Sequence, residues 1–156
     1  MRSRKVLTLG FLVLLLSVGY YSMTAAPVKS EGSYSYHGPT KWHTNVTEAM
    51  QIAESKDKPV LVYFWTTWCT YCEDYNEHVY TDPAVQSELD QFVLLAINLD
   101  SGRPAATRLV KRYNVNYPPQ HVVLTPDGRV VRKLPGYAPR AEFLSYLREA
   151  QTEYRS

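Results

Sequence analysis

Hydrophobic positions along this chain follow two periods. Val60 to Trp65 (VLVYFW) and Phe92 to Leu99 are continuous β-rich apolar runs, as strands buried on both faces require. Val46, Ala49, Met50 and Ala53 keep helical spacing behind Asn45, and Glu48 three residues on makes a capping-box-like start. Asn45-Val46-Thr47 is also a glycosylation sequon, but the cap is the better reading. Lys58-Pro59 ends that helix. Another begins at Trp68–Cys72, and Asp82-Pro83 reads as the N-cap and N1 pair of a further one. Pro104 to Tyr113 is helical. His121–Leu124 and Arg129–Leu134 flank Thr125-Pro126-Asp127-Gly128 as a hairpin. A last helix carries Phe143, Leu144 and Leu147 on one face. Strands alternating with helices imply parallel pairing, and the closing hairpin adds antiparallel strands. The class is therefore α/β, with a central mixed sheet and helices on both faces.

The first residues follow neither period. Arg2, Arg4 and Lys5 precede a stretch without charge from Val6 to Val28, almost purely apolar from Val6 to Val18. Small residues follow at Ala25 and Ala26. Residues 1–26 therefore read as a signal peptide or an uncleaved N-terminal membrane anchor, and either directs the rest to export. Membrane contact would then run only through residues 6–23. Residues 27–40, rich in Pro, Gly, Ser and Tyr, read as a flexible linker. The folded domain spans residues 41–151, and residues 152–156 are a C-terminal tail.

Composition sharpens this picture. The 156 residues are 45% hydrophobic and 21% charged, enough for one domain with a real core. The formal charge of +2 hints at a mildly basic protein, and where the charge sits decides whether an acidic partner follows. Removing residues 1–26 takes three of the 17 Lys and Arg and none of the 15 acids, which leaves 14 against 15 and a charge of −1. No footprint for nucleic acid remains.

Both cysteines fall in Trp68-Cys69-Thr70-Tyr71-Cys72. A structural zinc site needs more ligands than this pair offers, and c-type haem attachment needs His where Glu73 stands. An inert disulfide closing a two-residue loop would constrain the unfolded chain little. A redox pair suits the spacing best, because Cys69 then sits at a helix start that favours its thiolate, with Cys72 one turn along. The inert disulfide and a metal site remain open as alternatives.

Here the sequence resembles the thioredoxin superfamily over residues of about 42–151. Phe64 to Cys72 is similar to its active-site segment, Pro119 to its cis-proline, Asp127-Gly128 to its hairpin turn, and Gly136 to the glycine after the last strand. Within the superfamily, Lys58 to Val62 and Thr81 to Val85 are similar to the C-terminal domain of the DsbD family. The resemblance implies a thioredoxin-like fold with Cys69 as nucleophile and Cys72 as resolving thiol, forming one redox-active disulfide. Trp68, Tyr71, Pro118 and Pro119 would bind substrate. No cofactor and no metal is implied. Partners would be protein thiols and disulfides, with a membrane electron donor as a candidate, in the periplasm or another extracytoplasmic space.

The departures are informative. Pro118 lacks the N–H that relatives often offer a substrate. Tyr63 stands where many thioredoxins bury an acid, and Ala96 where its lysine partner would be, so the usual proton acceptor for the resolving cysteine is missing. Glu73 and Asp74 lie nearby and would raise the Cys69 pKa. Thr70-Tyr71 lacks the His of strong oxidants. These features lean toward a reductant or electron relay. Alternatives are a non-catalytic thioredoxin-like binding module or chaperone, and a copper metallochaperone using both thiolates. Tyr71 is expected at the surface, with Tyr75, Tyr80, Tyr113 and Tyr146 packed. His37 and His43 lie too far from any ligand set to suggest a metal site.

Overall fold

A computed structural model describes residues 34–156. The expected signal or anchor, and the part of the expected linker before Tyr34, lie outside the described residues.

The apolar run Val60–Trp65 is β3, the centre of a six-stranded sheet in the order β1-β2-β4-β3-β5-β6. β4 (Val93–Asn98) pairs with it in parallel, Val60 opposite Val93. β5 (Gln120–Leu124) pairs antiparallel on the other side, Val60 opposite Leu124, and β6 (Val130–Pro135) completes the expected hairpin.

Side chains of β3 alternate between two cores. Val60, Val62 and Phe64 face the layer of α1 (Val46–Lys56) and α4 (Pro104–Tyr113), where Ala49, Ala53, Ala106 and Tyr113 are buried. Leu61 and Tyr63 face the opposite layer. That layer holds α2 (Thr70–Asp74, continued by a π-helical turn Tyr75–Val79), α3 (Pro83–Leu89) and α5 (Arg140–Arg155). Helices on both faces of a mixed sheet are thus as expected. Asn45 caps α1 by accepting from the Glu48 N–H, and Asp82 caps α3 from the Ala84 and Val85 N–H groups.

Two boundaries differ from expectation. Residues 34–40 are not linker: Tyr34–His37 (β1) and Thr40–His43 (β2) form an antiparallel hairpin, and His43 of β2 pairs in parallel with Leu95 of β4. Two strands of four residues are too short for a period to show, and the Gly38-Pro39 punctuation is their turn. Gly38 has φ +58, and a Cβ there would lie 3.0 Å from both the Asn76 carbonyl oxygen and the Tyr80 Cβ. The hairpin buries His37 and Trp42. Residues 152–155, read as tail, are the last turn of α5, with Gln151 buried just before them.

Candidate active site

The site forms where β3 ends and α2 begins. Cys69 is the N-cap of α2 in extended backbone, and its Sγ accepts a hydrogen bond from the Cys72 N–H at 3.1 Å. Helical spacing brings the Cys69 and Cys72 Cα atoms to 5.2 Å, and the sulfurs form a disulfide. Cys69 is half-buried at the surface while Cys72 is 3% exposed, so the first cysteine is the more accessible of the two.

The Pro118–Pro119 peptide bond is cis. Gln120 pairs opposite Phe64, so Pro119 lies level with the end of β3, just before the cysteine loop. Gly136 N–H donates to the Pro119 carbonyl at 2.9 Å and ties the β6–α5 loop to the same edge. Pro118 is half-buried and Pro119 buried. An apolar groove runs beside the cysteine loop, lined by Trp68, Leu99, Val110, Val115, Tyr117 and Pro118. Trp68 and Tyr71 are 70% and 59% exposed. Tyr71 stacks on Tyr137, ring centroids 5.5 Å apart, on the loop that follows Gly136. Tyr75, Tyr80, Tyr113 and Tyr146 are buried, as expected.

Two groups were not anticipated. Asp100, just beyond β4, accepts from the Thr67 N–H (2.8 Å), the Thr67 hydroxyl (2.9 Å) and the Trp68 indole N–H (3.0 Å). The Thr67 N–H holds its carboxyl below the usual range; burial opposes this, and the other two donors add to it. Parallel pairing of Trp65 with Asn98 sets Asp100 against this loop, so the signal lay in the register of β3 on β4. The second group is an aromatic and imidazole cluster under the cysteines. Tyr63 pairs across β3 and β4 with Ala96, so neither an acid nor a lysine stands at those positions. Across β3 and β5 it pairs with His121, and the two rings stack at 4.9 Å. His37 closes over Tyr63 and Trp65, with centroids at 5.1 and 4.7 Å. Glu73 is exposed and Asp74 half-buried.

The thioredoxin-like domain family matches residues 46–151. The thiol:disulfide interchange protein DsbD 1 of Pseudomonas aeruginosa is 34% identical over 95 residues, 58% of this chain and 16% of that protein. DsbD of Salmonella typhimurium is 26% identical over 148 residues, 89% of this chain and 26% of that protein. The chain thus spans about a sixth to a quarter of the length of these relatives. A thioredoxin from Thermus thermophilus superimposes with a TM-score of 0.63 at 34% identity, over 71% of this chain and 87% of that one. The oxidised C-terminal domain of Neisseria meningitidis DsbD shares the fold, with a TM-score of 0.60 at 23% identity over 70% and 98% of the two chains. This chain belongs to the thioredoxin-like family, and its two cysteines form a Cys69–Cys72 disulfide at the start of α2.

Proposed function

We propose that this chain is an exported oxidoreductase that exchanges its Cys69–Cys72 pair with protein thiols and disulfides, as a reductant or electron relay. The unequal burial of the two cysteines at a helix start carries this reading. In the reducing direction, the Cys69 thiolate attacks a partner disulfide and expels one partner thiolate. N–H groups at the start of α2 stabilise the attacking anion. Cys72 then attacks the Cys69 sulfur of the mixed disulfide, closes the internal bond and releases the second partner thiolate. Trp68, Tyr71 and Pro118 offer an apolar rim for the partner's chain, and Pro119 orders the loop behind it.

Thr70-Tyr71 between the cysteines lacks the His of strong oxidants, which favours the reductant or relay. The basic and apolar leader, Arg2 to Val18, supports export, after which the domain works free or tethered. Reduction of insulin disulfides with a dithiol donor tests the reading. The unaltered chain turns over and Cys69→Ala does not; full activity in Cys69→Ala overturns it.

A further inference from the structure

Tyr71 lies between the two cysteines and is 59% exposed. An exposed tyrosine near a helix start ordinarily turns among several rotamers. Here one face of the ring is covered by Tyr137 of the β6–α5 loop, with the planes 19° and the centroids 5.5 Å apart, within the range that stacked aromatic pairs favour.

Tyr137 is itself held. Its ring meets Tyr75 edge-to-face at 5.1 Å, and Tyr75 has no exposed surface. The Tyr75 hydroxyl accepts the N–H of Ala138, the next residue, at 3.0 Å. On the other side, the Gly136 N–H donates to the Pro119 carbonyl at 2.9 Å, and Gly136 takes φ +77, a turn that a residue with a Cβ rarely makes. Tyr71 and Tyr75 stand four residues apart along α2 and its π-helical continuation, and the Tyr137 ring touches both. The loop after β6 is thus tied to the cis-proline, to the buried face of α2 and to the residue between the cysteines.

We propose that Tyr137 is a positioning residue for protein partners: it holds the Tyr71 ring in one orientation before a partner arrives, and so favours protein disulfides over small ones. The inference rests on the exchange reading above and deepens it. A ring already fixed in the free protein loses no rotamer freedom when a partner covers it, so the apolar area it offers goes into affinity. Trp68, on the other side of Cys69 in the sequence, is held likewise by its bond to Asp100. A protein segment around a cystine presents side chains on both sides of the reacting bond, and a small disulfide presents none. Pro118 strengthens the bias: without an N–H it holds less of a partner's main chain and leaves more of the binding to side-chain faces.

The test compares insulin with a small nitroaryl disulfide as substrates of the reduced full chain. In Tyr137→Ala the KM for insulin rises about three- to tenfold with kcat unchanged, while the rate with the nitroaryl disulfide stays within about twofold. Tyr137→Phe keeps the ring and restores the KM, because the stack needs no hydroxyl. Tyr71→Ala raises the KM alike, and adding Tyr137→Ala to it costs nothing further, as a coupled pair requires. An unaltered insulin KM in Tyr137→Ala, an equal loss on both substrates, or losses that add in the double variant would each overturn the inference and leave the exchange reading standing. If the unaltered chain reduces neither substrate, the exchange reading falls with it; reduction of the nitroaryl disulfide alone overturns the preference for protein partners. NMR of the unaltered chain needs no variant: the Tyr71 ring protons are shifted upfield by the stacked ring, and the shifts of a free tyrosine overturn the proposal.

Discussion

The Trp68 indole N–H donates to Asp100 Oδ1 at 3.0 Å, across 32 residues of sequence. With the two bonds from Thr67 to Oδ2, one carboxylate grips the segment that delivers Cys69 and holds the exposed indole against the groove. Asp100 touches neither sulfur, so its effect is to position. Asp100→Ala should lower kcat/KM for insulin reduction by about tenfold, because a misplaced reactive group loses effective concentration. Thermal stability should change little, since the contact is exposed. Trp68 fluorescence checks the cause: an unchanged emission spectrum together with unchanged kcat/KM would remove Asp100 from the site.

Acid should weaken the fold in a definite window. Burial pushes His37 down to about 4 and His121 down to about 3, from 6.5 in the unfolded chain. Below pH 6.5 the unfolded state therefore binds protons that the folded state refuses. Stability is full above that pH and falls as acidity rises, by at most about 1.4 kcal/mol per pH unit for each imidazole. Asp100 and Asp127, held below the usual carboxylate range, lose their contribution only under about pH 4, so the interval from 6.5 to 4 belongs to the histidines. Urea midpoints at pH 7 and pH 5 measure this, and His121→Leu should flatten the difference. Equal midpoints in the unaltered chain would contradict neutral burial of the two rings.

Gly38→Ala should destabilise the domain by about 1–3 kcal/mol, because its φ of +58 and the 3.0 Å contacts to Asn76 and Tyr80 leave no room for a side chain. Urea unfolding reads the loss. No loss would mean that the hairpin is not packed against the end of α2.

Tyr63→Phe removes a buried hydroxyl that has no partner and keeps the ring that stacks on His121. Stability should hold or rise by about 1 kcal/mol, and insulin reduction should stay near that of the unaltered chain. A large loss of turnover would give the hydroxyl a chemical role.

The direction of electron flow is read from the Cys69–Cys72 potential, by equilibration with glutathione or dithiothreitol. A reductant should lie near thioredoxin at about −270 mV; a value near the strong oxidant DsbA, about −120 mV, would reverse the assignment.

Much of this molecule is written in local signals. The apolar runs of β3 and β4 needed burial on both faces, Asn45 and Asp82 marked helix starts, and a C-x-x-C at a strand-to-helix junction put one cysteine at the helix start and the other one turn along. These features depend on residues within a few positions of one another, where period and capping chemistry act, so the sequence by itself determined them. The tertiary structure decided the rest. Tyr34 to His43 became part of the sheet only because β4 offered an edge for β2 and the Tyr63 layer offered a surface for His37 and Trp42. Asp100 met Trp68 through the register of two parallel strands, and His121 met Tyr63 through that of two antiparallel ones. Contacts between segments tens of residues apart leave no period in the chain: their partners are chosen by strand register and by which face each side chain must bury.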